Sequence, residues 1–203
     1  MERQEAVAKL ELLKGQDLVA LAAEHGITIW KAPGKKNKGW AGHVLERYLG
    51  LPLNSAQAPN FGSWELKIVP LKRTKTKGIR VKETMAITMI DSVNVAQTSF
   101  DESHLLAKLH KAVVCARMFE STDEPSSKLV SVGTFDLNDP QIREQVRQDY
   151  ELVRSAILND GFESLTGKMG VLVQPRTKGP GHGSTSRAFY ARTRFVATIL
   201  GLG

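Results

Sequence analysis

One cysteine in 203 residues rules out an internal disulfide framework. Cys115 lies in the apolar stretch LHKAVVCARMF and reads as a small buried hydrophobe rather than a redox centre. No apolar run approaches the length that spans a bilayer, which excludes an integral membrane helix. The opening MERQEAVAKLELLKG is amphipathic and carries Glu2, Glu5 and Glu11, so it lacks both a secretory core and the acid-poor character of a presequence. The expected residence is cytoplasmic and nucleoid-associated, with no membrane partner. There is no GxGxxG after a strand, since GPGHGS is loop-like, and this argues against a dinucleotide-dependent metabolic enzyme. His43, His104, His110 and His182 show no paired metal-ligand spacing, and no internal repeat is detectable.

Charge is what the chain has in excess. It carries a formal net charge of +7 and a pI near 9.6, concentrated in two places. The segment KRTKTKGIRVK, residues 72–82, contains Lys72, Arg73, Lys75 and Lys77 and no acid before Glu83. Near the C-terminus, PRTKGPGHGSTSRAFYARTR supplies Arg176, Lys178, Arg187, Arg192 and Arg194. Such clusters suit a polyanion, because each phosphate neutralised releases condensed counterions. Two solvated loops would carry the same charge, and many basic proteins bind no nucleic acid.

The length fits one globular unit, or two lobes sharing a core. Residues 2–14 and 16–25 read as short helices, the second stopped by Gly26, and KAPGKKNKG follows as a polar, flexible loop. In GWAGHVLERYLG, Trp40, Val44, Leu45 and Tyr48 recur at helical spacing with Glu46 just off the stripe. From Trp64 to Val69 the period becomes two: Leu66 and Ile68 face one way, Glu65 and Lys67 the other. A strand is expected over Glu83 to Ile90, with the basic segment as the tip of the hairpin before it. Ser99 and Glu102 have the spacing of a capping box leading into HLLAKLHKAVVCARMF. Residues 139–160 form the clearest helix: Asp139 caps it, Pro140 opens it, Ile142, Val146, Tyr150, Val153 and Ile157 make one stripe, and Gly161 ends it. A short strand is expected over Met169 to Val173, a Gly-rich loop over 179–184, and a strand running into a helix in FYARTRFVATILGL. The fold class is α/β or α+β.

Phosphodiester hydrolysis needs a divalent cation to polarise the phosphoryl oxygens and activate water, and magnesium is held by a few carboxylates plus water and phosphate. A strand with Glu-x-Lys puts a metal-binding oxygen and an ammonium on one face, with an acid a few residues upstream to complete the site. In PNFGSWELK the upstream position is Asn60. Taken alone, Glu-x-Lys is common on exposed strands as a same-face charge pair.

The surroundings add to it. KGWAGHVLERYLG, followed about ten residues on by PNFGSWELKIVPLK, resembles the MutH family of PD-(D/E)xK endonucleases, which includes the methyl-directed mismatch-repair nicking endonuclease and related type II restriction endonucleases. DESHLLAKLHKAV resembles that family's Ser-His and lysine-rich helix, VLVQPRTKG its strand leading to Arg-x-Lys, and RAFYARTRFVATIL its final strand and helix. The resemblance implies a restriction-endonuclease-like mixed sheet flanked by helices, with two lobes, about 1–100 and 101–203, around a DNA-binding cleft. It assigns Glu46, Asn60, Glu65, Lys67 and Lys108 to the catalytic cluster, with Asn60 and Glu65 as ligands of Mg2+. It assigns Arg176, Lys178 and Tyr190 to the recognition site on double-stranded DNA, with Tyr190 also matching a position that senses adenine methylation. Lys72, Arg73, Lys75, Lys77, Arg187 and Arg192 are expected to contact DNA through their charge. Tyr190 reads equally as a core aromatic with a wet hydroxyl, and Glu46 as a solvated helix acid.

The departure from the family is Asn60, where its members carry an aspartate. An amide keeps the shape but removes a full charge from the metal site, so magnesium affinity should fall. A lone change of this kind in an otherwise intact set reads as an engineered disarming of a nuclease; a non-catalytic DNA-binding module is the rival of another class. The basic 72–82 segment and the divergence between motifs favour a stand-alone restriction enzyme at GATC or a related site. The alternative is the repair nickase, acting on unmethylated or hemimethylated sites with a MutL-like activator.

Overall fold

The computed structural model describes residues 1–32, 34–51, 62–179 and 185–202. Asn60 and most of the Gly-rich 179–184 loop lie outside the described residues. In chain order the elements are helices α1 (Arg3–Glu11) and α2 (Leu18–Glu24), strands β1 (Trp30–Ala32) and β2 (Lys35–Lys36), helix α3 (Trp40–Tyr48), strands β3 (Glu65–Thr74), β4 (Gly78–Val81) and β5 (Met85–Ile90), helices α4 (Ser92–Gln97) and α5 (His104–Leu109), strands β6 (Lys111–Met118) and β7 (Leu129–Asp136), the long helix α6 (Pro140–Asp160), strands β8 (Val173–Thr177) and β9 (Arg187–Ala191), and helix α7 (Thr193–Ile199). The class is mixed α/β, as expected.

A four-stranded sheet, β4-β3-β6-β7, forms the centre; β3 and β6 run parallel, and the outer pairs are antiparallel. Each central strand is apolar on both faces because each face has its own core. Leu66, Ile68, Val113 and Cys115 point into a core shared with α1, α2 and α3. Val69, Leu71, Ala112, Val114 and Ala116 point into a second, larger core with α5, α6, α7 and the antiparallel sheet β5-β9-β8. In that larger core α6 buries Val146, Tyr150 and Val153, each removal from water contributing roughly 1.5–3 kcal/mol for the aliphatic side chains. Asp139 caps α6 by accepting from the backbone N–H groups of Gln141 and Ile142, and Gly161 ends it with a positive φ of 84°.

Several elements differ from expectation. The loop KAPGKKNKG carries the end of β1 and all of β2 as a small antiparallel pair. The basic segment is not merely a hairpin tip: β3 extends through Lys72 and Arg73, and β4 returns within the same segment to pair with it. The strand at 85–90 leaves for the other sheet, where it pairs with β9. Ser99 opens only a 3-10 turn, with its hydroxyl 3.0 Å from Glu102, while Ser103 caps α5 by accepting from the N–H of Leu106. After α5 the chain becomes β6, a strand buried almost throughout, so its apolar run carries no alternation to read. The strand expected over Met169 to Val173 begins at Val173 instead. Residues before it are held as a loop, because the Asp149 carboxylate accepts from the N–H groups of Val171, Leu172 and Val173, each at 2.7 Å. A Cβ at Gly170, where φ is 76°, would lie 1.8 Å from the Val173 carbonyl oxygen, so only glycine fits that bend. Among the described residues no helix is long and apolar enough to cross a membrane.

Candidate active site

The first residue of β3 is Glu65, set by the parallel register opposite Ala112 of β6, and Lys67 lies two residues on, opposite Val114. Strand alternation turns both side chains toward the larger core. There α5 delivers Lys108 from its last turn. Glu65 is only 2% exposed. Its Oε1 lies 2.7 Å from Lys67 Nζ and 3.3 Å from Lys108 Nζ, and its Oε2 lies 3.1 Å from Lys108 Nζ. A buried carboxylate is thus cross-linked to two ammonium groups, which offsets the cost of desolvating it.

Lys67 reaches further. Its Nζ also donates to the Ile87 carbonyl at 3.5 Å, on β5 of the second sheet. The pairing of β5 with β9 explains why that carbonyl is available: Ala86 faces Tyr190 and Thr88 faces Phe189, so Ile87 is an extra residue in β5, a bulge. One side chain therefore joins the two sheets. Nothing in the spacing of apolar residues announces the bulge.

The remaining expected site residues are dispersed. Glu46 is half-buried on α3, which packs against β3. Lys72 and Arg73 on the distal half of β3, and Lys75 and Lys77 at its turn, are all exposed. Lys72 is seven residues along the strand from Glu65, a separation of roughly 23 Å at about 3.3 Å per residue. Lys178 follows β8 and is exposed along its length. Even so, the protein around its ammonium, and then the charges of Lys67 and Lys108, push its pKa below the ordinary lysine value. This ties Lys178 electrostatically to the Glu65 cluster.

On the second sheet, the guanidinium of Arg176 stands 5.9 Å from the ring centre of Tyr190 and donates to the Thr84 hydroxyl at 3.0 Å. Tyr190 is half-buried; burial raises the pKa of its phenol, Arg176 opposes this, and Glu83 adds to it. Arg187 donates to the Thr185 carbonyl and lies against Phe162. Arg192 has a role inside the fold: it donates to the carbonyls of Gly167, Met169 and Gly170, at 3.0, 2.9 and 3.1 Å. With Asp149 taking the N–H groups of the same loop, Arg192 fixes the entry to β8. Sequence reasoning did not single out Asp149; a carboxylate inside the stripe-bearing helix was the available signal.

An open cleft of about 610 Å3 beside α5 is lined by Gly62, Ser63, Ser103, Ala107 and His110 among others, but Glu65, Lys67 and Lys108 do not line it. The carboxylate and its lysines thus lie apart from this cleft. For a divalent cation the donor type fits, since the Glu65 carboxylate is a hard oxygen ligand. Among the described residues no group of three His, Cys, Asp or Glu side chains gathers as a metal centre.

Comparison with known proteins bears on what this arrangement belongs to. Residues 49–149 match the family described as DNA mismatch repair enzyme MutH. Relatives along nearly the whole chain carry the name DNA mismatch repair protein MutH. One from Vibrio cholerae serotype O1 (strain ATCC 39541 / Classical Ogawa 395 / O395) is 26% identical over 98% of this chain and 95% of its own. One from Klebsiella pneumoniae (strain 342) is 27% identical over 98% and 90%, and one from Shewanella sp. (strain MR-4) is 27% identical over 97% and 93%. Among solved structures, a restriction endonuclease MvaI–cognate DNA substrate complex aligns over 98% of this chain and 97% of that one, at 11% identity and a TM-score of 0.40.

The matched family and the matched relatives are described as DNA mismatch repair proteins. The chain is similar to the MutH family over residues 49–149, and to MutH proteins along nearly its whole length. The names of the relatives favour the repair-type reading over the stand-alone restriction enzyme that the basic segment had suggested.

Proposed function

We propose that this chain is a MutH-type, Mg2+-dependent, sequence-specific endonuclease of double-stranded DNA, acting at GATC or a related site, and that Asn60 leaves it catalytically impaired. The observation that carries the reading is the buried Glu65 carboxylate with Lys67 and Lys108 on it, at the start of a strand in a chain similar to this family. Glu65 with the residue at position 60 would hold the cation, which would polarise the phosphate and lower the pKa of a water. Lys67, held between Glu65 and Ile87, orients that water and takes up charge developing on phosphorus. Lys108, arriving from α5, faces the scissile phosphate. Asn60 supplies a neutral oxygen where a charged one is wanted, so this chain should hold DNA better than it cuts it.

Arg176, Lys178 and Tyr190 are the proposed reading surface, and Lys72, Arg73, Lys75 and Lys77 the phosphate contacts on the distal hairpin. The two proposed lobes, about 1–100 and 101–203, would flank the duplex while sharing both sheets, since β3 pairs with β6 and β5 with β9. A MutL-like activator and residence on the nucleoid in the cytoplasm follow from the repair-type reading. The restriction-enzyme reading keeps one observation in its favour, the exposed row of cations along β3 and β4.

The test is incubation of the Asn60→Asp protein with Mg2+ and unmethylated plasmid. Nicked circles support the repair-type enzyme, and defined linear fragments the restriction type. Duplex binding with intact plasmid under every divalent cation would replace both with the binding module.

A further inference from the structure

Both oxygens of Glu65 are occupied by lysine, yet the two lysines are not held alike. Lys67 has a second acceptor, the Ile87 carbonyl freed by the bulge in β5, and its side chain is 22% exposed. Among the described residues Lys108 bonds only to Glu65, at 3.3 and 3.1 Å, and its side chain is 8% exposed. A hard divalent cation needs a carboxylate oxygen at a little over 2 Å. An ammonium bonded to that oxygen competes with the cation for space and opposes it by charge, and the lysine with the fewer anchors is the one placed to give way.

We infer that Lys108 is an exchangeable counter-ion: it closes the Glu65 carboxylate before substrate arrives and passes to an incoming phosphate, opening Glu65 to the cation. The inference rests on the nuclease reading of this site and goes beyond it by giving Lys108 a role before any chemistry. Lys67, anchored on both sheets, stays in place. Without Lys108, Glu65 would lose one of its two ammonium partners. With it, the DNA-free protein has little use for a cation at that carboxylate, and the phosphate becomes the group that releases it. Lys178 adds to this, because a third ammonium in electrostatic reach further favours an anion before a cation.

The inference is tested without cleavage, by Mn2+ binding to DNA-free protein, followed by the electron paramagnetic resonance of free Mn2+ and by the rise in Tm with Mn2+. The proteins are the Asn60→Asp form alone and with Lys108→Met, Lys108→Arg or Lys67→Met. Lys108→Met should bind Mn2+ about tenfold more tightly than its parent, the removal of one close like charge. Lys108→Arg, which keeps the charge, should gain nothing, and Lys67→Met should gain less than Lys108→Met. The Tm without metal should fall for Lys108→Met and be recovered by Mn2+, which also shows that the variant folds. Equal or weaker Mn2+ binding by Lys108→Met, with DNA cleavage by Asn60→Asp intact, overturns the exchange and leaves the nuclease reading standing. If no protein of the series binds Mn2+ and Asn60→Asp cleaves nothing, both fall.

Discussion

Two buried glutamates in this protein each bridge two cations, and they are built for different ends. Glu124 is 3% exposed and accepts from Arg117 Nη1 at 2.7 Å, Lys36 Nζ at 2.8 Å and the Trp40 indole N–H at 2.8 Å. Its donors are tied elsewhere as well: Arg117 to the Ser127 hydroxyl, Lys36 to the Thr122 carbonyl. The residue adopts a positive φ of 44°, a strained conformation for a side chain that the surrounding bonds must hold. Glu65 is as deeply buried, but it is held by two lysines, one of them with no other acceptor among the described residues. An arginine fork and an indole are fixed donors; lysine ammoniums are compact, mobile charges. The contrast separates a clamp, which ties β2, α3 and β6 together, from a site whose bonds can be exchanged.

The comparison breaks most sharply in activity. In the Asn60→Asp protein, Lys67→Ala should lower the Mg2+-dependent cleavage rate by about a hundredfold or more, the scale expected for a donor aimed at developing charge, whereas its Tm should move by only a few degrees. A loss of fold with the activity, read by circular dichroism, would make Lys67 another clamp. For Glu124→Ala the order reverses. Removing one partner of a buried charge cluster costs about 3–5 kcal/mol, which chemical denaturation would read directly. A change under about 1 kcal/mol would show that Arg117 and Lys36 find water as readily as they find Glu124.

Acid sharpens the same contrast. Burial tends to raise the pKa of Glu124, but the hydrogen bonds and charges of Lys36 and Arg117 outweigh it, so the carboxyl titrates below its ordinary value of 4.5. A lowered folded-state pKa means that its contribution is complete above 4.5 and is lost as pH falls through the folded value. Denaturation midpoints should therefore decline below about pH 4.5 in the parent, and less steeply in Glu124→Gln. Parallel declines in the two proteins would assign the acid sensitivity to other carboxylates. The smallest expected effect is at the second sheet: Arg176→Ala should narrow the ratio of cognate to non-cognate duplex affinity by about tenfold, as loss of one base contact does, with an unchanged Tm. An unchanged ratio would leave Arg176 stacked on Tyr190 and donating to Thr84, with no part in reading bases.

The legible parts of the molecule were those with a period or a cap. α6 follows from Asp139, Pro140, its apolar stripe and Gly161, and β3 from the alternation around Glu65 and Lys67. β6 was hidden because Ala112 to Met118 is buried on both faces, so nothing alternates. The hairpin was misjudged because its strands are written in lysine and arginine, residues that read as loop. Lys108 entered the site reading only through family resemblance; its contact with Glu65 is a tertiary fact set by how α5 lies against the sheets. Glu124 and Ile87 gave no local sign, since a hub and a bulge are defined by partners far away in sequence.

The most direct measurement compares three proteins, the chain as given, Asn60→Asp, and Asn60→Asp with Glu65→Gln, in a time course with Mg2+ on unmethylated and fully methylated plasmid containing GATC. The expected result is cleavage of the unmethylated plasmid by Asn60→Asp, faster than the chain as given by orders of magnitude, and its loss on adding Glu65→Gln. Equal rates for the first two proteins, or full activity without the Glu65 carboxylate, would contradict the assignment of Glu65 and its lysines as the site of hydrolysis.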